Sequence, residues 1–208
     1  MTDTYPVIGM SPGNSYFKDE VVKQLLKTVV EKYGKTAILV ADVPAISTYI
    51  ALGYPENRAR KDKAIPQGNN LKNRVKRAMT ELGYSTGQVR IIDWENEIEN
   101  NQDYIKKYDE VRKLYENKDS FRQSADDATR EVLEYSEKEI VDLDTSIKIA
   151  VHYLISEIAF MEFAPQYLQA DNVSYIYHRE WPVYKSYIEG KFDGSVRSKL
   201  GYLIVKTH

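Results

Sequence analysis

The sequence predicts one α/β domain built on a mostly parallel sheet of five strands flanked by helices. Three observations predict it. Short apolar runs alternate with helical stretches along the whole chain. The run at residues 36–41 (Thr-Ala-Ile-Leu-Val-Ala) is almost continuously apolar, as in a strand covered on both faces. The length of 208 residues, with 42% hydrophobic and 29% charged, suits a single domain with a full core.

The first apolar run, Val7-Ile8-Gly9-Met10, is read as a strand that enters a turn at Gly9. Pro12-Gly13-Asn14 is turn chemistry: a fixed φ, then two residues that tolerate φ > 0. From Asp19 the period becomes helical, with Val22, Leu25, Leu26, Val29, Val30 and Tyr33 on one face and Gly34 past the end. The strand at 36–41 completes a crossover unit, and Asp42 stands at its carboxyl end. Pro44 opens the next helix at its first position, and Gly53 ends it. Leu71, Val75, Ala78, Met79 and Leu82 mark a further amphipathic helix, closed by Gly83. Residues 66–70 (Pro-Gln-Gly-Asn-Asn) are poor helix material, so a kink or break is expected before it. Residues 89–93 read as a third strand. Mixed-charge helices follow near 104–116 and 120–135. The helix at 147–163 is apolar over most of its surface and belongs against the sheet centre. Strands at 173–177 and 202–205, with a short helix at 182–188 between them, complete the domain.

With no cysteine, disulfides and thiolate chemistry are excluded. No apolar run approaches membrane-spanning length, and the start of the chain does not read as a secretory signal. A cytoplasmic monomer is expected, with neither metal nor cofactor. His152, His178 and His208 are the only histidines, and no metal-binding spacing joins them. Net charge is −2, yet residues 58–77 hold eight basic residues and one acidic, a local +7 that leaves −9 elsewhere. Such asymmetry points to a polyanion, with Lys72, Arg74, Lys76 and Arg77 as candidate nucleic-acid contacts.

Ser11 lies at a strand's carboxyl end, where open α/β sheets bind ligands. Gly9-Met10-Ser11-Pro12-Gly13 fits the nucleophile elbow G-x-S-x-G by letter, but Pro12 lacks the N–H that such an elbow uses. A P-loop lysine and a dinucleotide G-x-G-x-x-G are both absent. Two site readings stay open. One pairs Ser11 with His178 or His152 as a serine hydrolase. The other joins Ser11 to Tyr153 and Glu157, one helical turn apart, and to Tyr177 at a strand end. A glutamate on so apolar a helix costs several kcal/mol to bury unless hydrogen bonds or a cation meet it.

Residues 9–17 (Gly-Met-Ser-Pro-Gly-Asn-Ser-Tyr-Phe), the block Tyr153-Leu154-Ile155-Ser156-Glu157 with Pro165 beyond, and Tyr177-His178 together resemble the three signature blocks of the cyclodipeptide synthases. The likeness runs from Tyr5 to Val205. Asn14 with Tyr177-His178 resembles the subfamily marked by Asn, Tyr and His. Few residues precede the first strand, and residues 66–70 interrupt what is usually a continuous basic helix. The resemblance implies a Rossmann-like domain similar to the catalytic domain of class I aminoacyl-tRNA synthetases. It implies that two aminoacyl-tRNAs become one cyclic dipeptide by a ping-pong route. In that route Ser11 carries the first aminoacyl ester while Tyr153 and Glu157 hold its ammonium. The second aminoacyl-tRNA supplies an amine that attacks it, and Tyr177 relays a proton as the dipeptidyl ester cyclises. Asn14 and His178 position the two loops. Val7, Gly9, Phe160 and Tyr175 would line the first aminoacyl pocket; Ala41, Asn14 and Glu180 would lie near the second. Aliphatic-specific relatives carry leucines where Phe160 and Tyr175 stand here. The first side chain is therefore expected to be small, polar or a small aromatic. A non-catalytic tRNA-binding domain is the third reading.

Overall fold

A computed structural model gives the fold and describes residues 4–136 and 138–205; His208 lies outside the described residues. Strands β1 (Thr4–Met10), β2 (Thr36–Val40), β3 (Val89–Ile92), β4 (Asn172–Tyr177) and β5 (Leu200–Ile204) form one sheet in the order β3-β2-β1-β4-β5. All four pairings are parallel. From the central strand the chain steps outward through β2 and β3, then returns to lay β4 on the other side of β1. The strand order reverses there, so the carboxyl ends of β1 and β4 meet at a switch point, where open α/β sheets bind ligands. Ser11 follows β1 and Tyr177 ends β4.

The central strands β2, β1 and β4 are covered on both faces, and their alternation decides which helices they meet. Ile8, Met10, Ile38, Val40 and Ile176 share a core with Val22, Leu26, Leu71 and Val75 of α1 (Asp19–Tyr33) and α4 (Ile65–Leu82). Val7, Leu39, Tyr175 and Tyr177 share the other core with Val151, Ile155 and Ile158 of α7 (Leu143–Tyr167). α5 (Gln102–Asn117), α6 (Asp119–Glu134) and α8 (Pro182–Ile188) complete that layer. α7 starts at Asp142, whose Oδ1 accepts the Thr145 N–H at 3.0 Å, and it buries thirteen of its residues.

Four expectations need correction. β1 continues through Gly9 and Met10, so the turn starts at Ser11. α2 (Asp42–Ala51) begins two residues before Pro44, with Asp42 in its first turn. α7 is longer at both ends than its apolar pattern suggested, because polar turns also extend a buried helix. No break falls at residues 66–70. The chain runs helically from α3 (Glu56–Arg58) through a π-helical turn at Ala59–Ala64 into α4. That turn absorbs the irregularity that Pro66 imposes just after it. Gly68 sits in the helix because it is pressed against Asp42; an added Cβ would lie 2.4 Å from the Asp42 Cβ.

Helix propensity alone makes Gly68→Ala stabilising by about 1 kcal/mol. The contact with Asp42 reverses the sign. Urea denaturation is expected to show a loss of about 1–3 kcal/mol, the usual cost of overpacking.

Candidate active site

Ser11 opens a loop that the sequence folds tightly. Asn14 N–H donates to the Ser11 carbonyl at 3.3 Å, and Phe17 N–H donates to the Asn14 carbonyl at 3.3 Å. Asn14 Oδ1 accepts the Tyr16 N–H at 2.9 Å. Gly13 takes φ +78°, a conformation that favours glycine, and lies against the bonded side chains of Gln67 and Tyr49. The Tyr16 ring stacks on His178 with centroids 4.4 Å apart, so Asn14, Tyr16 and His178 link the loop after β1 to the loop after β4. Gly9 leaves room for Tyr177: an added Cβ would lie 2.6 Å from the Tyr177 Cζ.

α7 brings the polar groups to the serine. Tyr153 Oη donates to Ser11 Oγ at 2.9 Å and reaches Glu157 Oε1 at 3.3 Å. A phenol has one proton and cannot donate to both. When that proton faces the ionised Glu157, the Ser11 hydroxyl must donate to Tyr153 Oη instead, which turns a serine lone pair outward. Glu157 is 1% exposed, and no lysine, arginine or histidine pairs with it among the described residues. Its Oε2 accepts from Tyr184 of α8, a residue the sequence analysis missed. The Tyr177 hydroxyl is buried near the same carboxylate without a hydrogen bond of good geometry.

Burial raises the Glu157 carboxyl above its ordinary value, and the hydroxyls of Tyr184, Tyr177 and Tyr153 pull it back. Tyr153, Tyr177 and Tyr184 are all pushed well up, by burial first and by the Glu157 charge second. Tyr153 as a whole residue is partly exposed, but its hydroxyl is enclosed. These phenols therefore stay protonated at neutral pH, and none serves as a phenolate base. Burial lowers His178, whose Nδ1 has no hydrogen-bond partner. His152 is exposed, and its Nδ1 bonds Tyr108 Oη at 2.7 Å. Neither histidine bonds Ser11, whose hydroxyl partner is Tyr153. The serine–histidine pairing is thus not formed, because β4 directs His178 against the aromatic rings of Tyr16 and Phe17.

The other predicted residues separate into groups. Val7, Gly9, Phe160, Tyr175 and Ala41 are all buried. Val7 pairs in register with Tyr175, whose ring meets Phe160 edge-on at 6.3 Å. Glu180 is exposed at the rim and pairs with Lys185 at 3.6 Å. The basic residues do not form one free stripe. Lys72 Nζ is held by Asp42 Oδ2 at 2.7 Å, and Arg74 Nη1 donates to the Phe17 carbonyl at 2.7 Å. Arg77 pairs with Asp19 at 2.6 Å on the exposed surface, and Lys76 is exposed. Helical spacing showed which of these share a turn; it carried no information about acceptors on α2 or in the serine loop. No helix among the described residues is long and apolar enough to cross a membrane.

A parallel sheet with a serine at its switch point, beside a buried carboxylate held by tyrosines, defines a Rossmann-like domain with a polar site at the strand ends. The family model described as cyclodipeptide synthase matches residues 3–207, and the chain belongs to that family, whose enzymes form cyclic dipeptides. Relatives named cyclo(L-leucyl-L-leucyl) synthase include one from Bacillus subtilis, 24% identical over 96% of this chain and 81% of its own length. Another, from Photorhabdus laumondii, is 24% identical over 97% of this chain and 88% of its own length. Among solved structures, a cyclodipeptide synthase from Bacillus thermoamylovorans superposes with a TM-score of 0.84 at 22% identity, covering 99% of this chain and 90% of the other. One from Candidatus Glomeribacter gigasporarum, solved bound to Phe-tRNAPhe, gives 0.68 at 14% identity, covering 100% and 90%.

Because Glu157 holds its proton more tightly folded than unfolded, the native state binds more protons just above the ordinary value of 4.5, and stability falls as pH rises through that window. Glu157→Gln is therefore expected to melt higher than the unsubstituted protein at about pH 8, with the difference shrinking toward about pH 4. Thermal melts across that range check it.

Proposed function

We propose that the chain acts as a single-domain monomer in the cytoplasm and that Ser11 takes an aminoacyl group from a first aminoacyl-tRNA. Ser11 Oγ attacks the ester carbonyl; the serine ester forms, and the ribose oxygen leaves with a proton. Glu157 and the Tyr153 hydroxyl hold the α-ammonium of the bound residue. The amine of one aminoacyl group attacks the ester of the other and expels its oxygen as a hydroxyl that takes up the amine's proton. The free amine then attacks the remaining ester, expels the second hydroxyl in the same way and closes a six-membered diketopiperazine. Tyr177, still protonated, relays a proton during closure by accepting one as it gives one. Asn14 and His178 hold the two loops together through Tyr16. The reading rests on the Ser11–Tyr153–Glu157 line of hydrogen bonds. The substrate ester is already activated, so no nucleotide triphosphate is required.

The identity of the first aminoacyl group follows from Phe160 and Tyr175. The Tyr175 hydroxyl is fully buried and has no hydrogen-bond partner, a cost that a polar side chain would relieve. We infer a small, polar or small aromatic first side chain, in contrast to the leucine named for the relatives. A purely tRNA-binding role leaves the Tyr153–Glu157 pair without a task.

Expression in bacteria, followed by mass spectrometry of the medium, is expected to show a diketopiperazine that disappears with Ser11→Ala. Tyr177→Phe should slow product formation by about 10²–10⁴-fold, the scale of lost proton-transfer help. Cyclo(Leu-Leu) as the main product would overturn the side-chain assignment, and product from Ser11→Ala would overturn the nucleophile.

A further inference from the structure

α4 presents two kinds of basic side chain. Lys72 is 15% exposed, and its Nζ grips an Asp42 carboxylate that is 3% exposed, with Asp93 Oδ1 at 4.0 Å on the other side. The second Asp42 oxygen, Oδ1, accepts the Val43 N–H at 2.9 Å, so the aspartate is fixed in the first turn of α2 while it anchors α4. Two residues along, Arg74 is partly buried and donates to the Phe17 carbonyl, near the end of the loop that Ser11 opens. Gln67, bonded to Tyr49, abuts Gly13 from the same helix. Arg77 differs: it is 57% exposed, and so is its partner Asp19 at 62%. An exposed pair of that kind is weak and yields readily to a phosphate. Freeing Lys72 would instead strand a buried carboxylate, and freeing Arg74 would strand a carbonyl.

We propose that Lys72 and Arg74 are positioning residues that hold the start of α2 and the loop opened by Ser11, while tRNA phosphates are met from the exposed residues Lys76 and Arg77. Two partly buried basic residues of α4 thereby brace the nucleophile's loop, and two exposed ones nearer its C-terminus form the docking surface. This rests on Ser11 as the nucleophile.

The test measures two quantities on the full chain: tRNA affinity as a function of salt, and product formation at saturating aminoacyl-tRNA. Arg74→Ala and Lys72→Met are expected to lower the saturated rate about tenfold or more while the salt slope of tRNA binding stays as in the unsubstituted protein. Arg74→Lys, which keeps a donor, recovers part of the rate. Lys72→Met combined with Asp42→Asn removes the stranded charge and keeps tRNA affinity, with the saturated rate still low. Lys76→Ala with Arg77→Ala flattens the salt slope by about two units. A slope reduced by about one unit in Lys72→Met or Arg74→Ala, or a saturated rate unchanged in both, overturns the proposal. Ser11→Ala measured alongside separates the two ideas. Lost product with normal tRNA affinity keeps the nucleophile; retained product removes it, whatever the salt slopes show.

Discussion

Glu157 is the constraint around which this site is arranged. A carboxylate inside an apolar helix, with no cation beside it among the described residues, survives only because hydroxyl groups solvate it. Tyr153 comes from the same helix one turn earlier, and Tyr184 reaches in from α8. The resulting carboxylate is solvated by donors yet not neutralised. A bound ammonium would complete it, and the proposed chemistry places one there. The same arrangement orients Ser11, because Tyr153 has a single proton to share between Glu157 and the serine.

The sheet converts this local pairing into a site. β1 and β4 are neighbours only because the chain reverses direction in the strand order, and that reversal sets Ser11 and Tyr177 side by side. Gly9 removes the side chain that would collide with the Tyr177 ring. On the opposite face, α4 is fastened to the serine loop by Arg74 and to the start of α2 by Lys72 and the close contact at Gly68. Two faces of one sheet thus control one hydroxyl: α7 supplies its hydrogen bond, and α4 its backbone frame.

Much of this was legible beforehand. The strand, turn and helix around Ser11 announce themselves through period and turn chemistry, and the i, i+4 spacing of Tyr153 and Glu157 puts them on one face. The strands read as apolar runs, the central ones because they are buried on both sides, and all five were recovered. Other features were hidden for physical reasons. Tyr184 sits in a seven-residue helix whose docking depends on tertiary packing, so nothing local marks it as the Glu157 donor. Lys72 and Arg74 carry the same periodic signature as Lys76 and Arg77; only the positions of Asp42 and the Phe17 carbonyl distinguish them. Residues 66–70 look like a helix breaker because propensity weighs Gly68 without knowing that Asp42 needs its space, and because a π-helical turn can accommodate Pro66 upstream.

The claim most exposed to contradiction is that the buried carboxylate selects for a free amine while Ser11 accepts the acyl group. Purified protein mixed with aminoacyl-tRNA, then quenched, digested and mapped by mass spectrometry, should carry one aminoacyl mass on Ser11. The same tRNA with its amino group acetylated should leave Ser11 unmodified. An adduct of equal yield from both, or an acylated peptide lacking Ser11, would contradict the account.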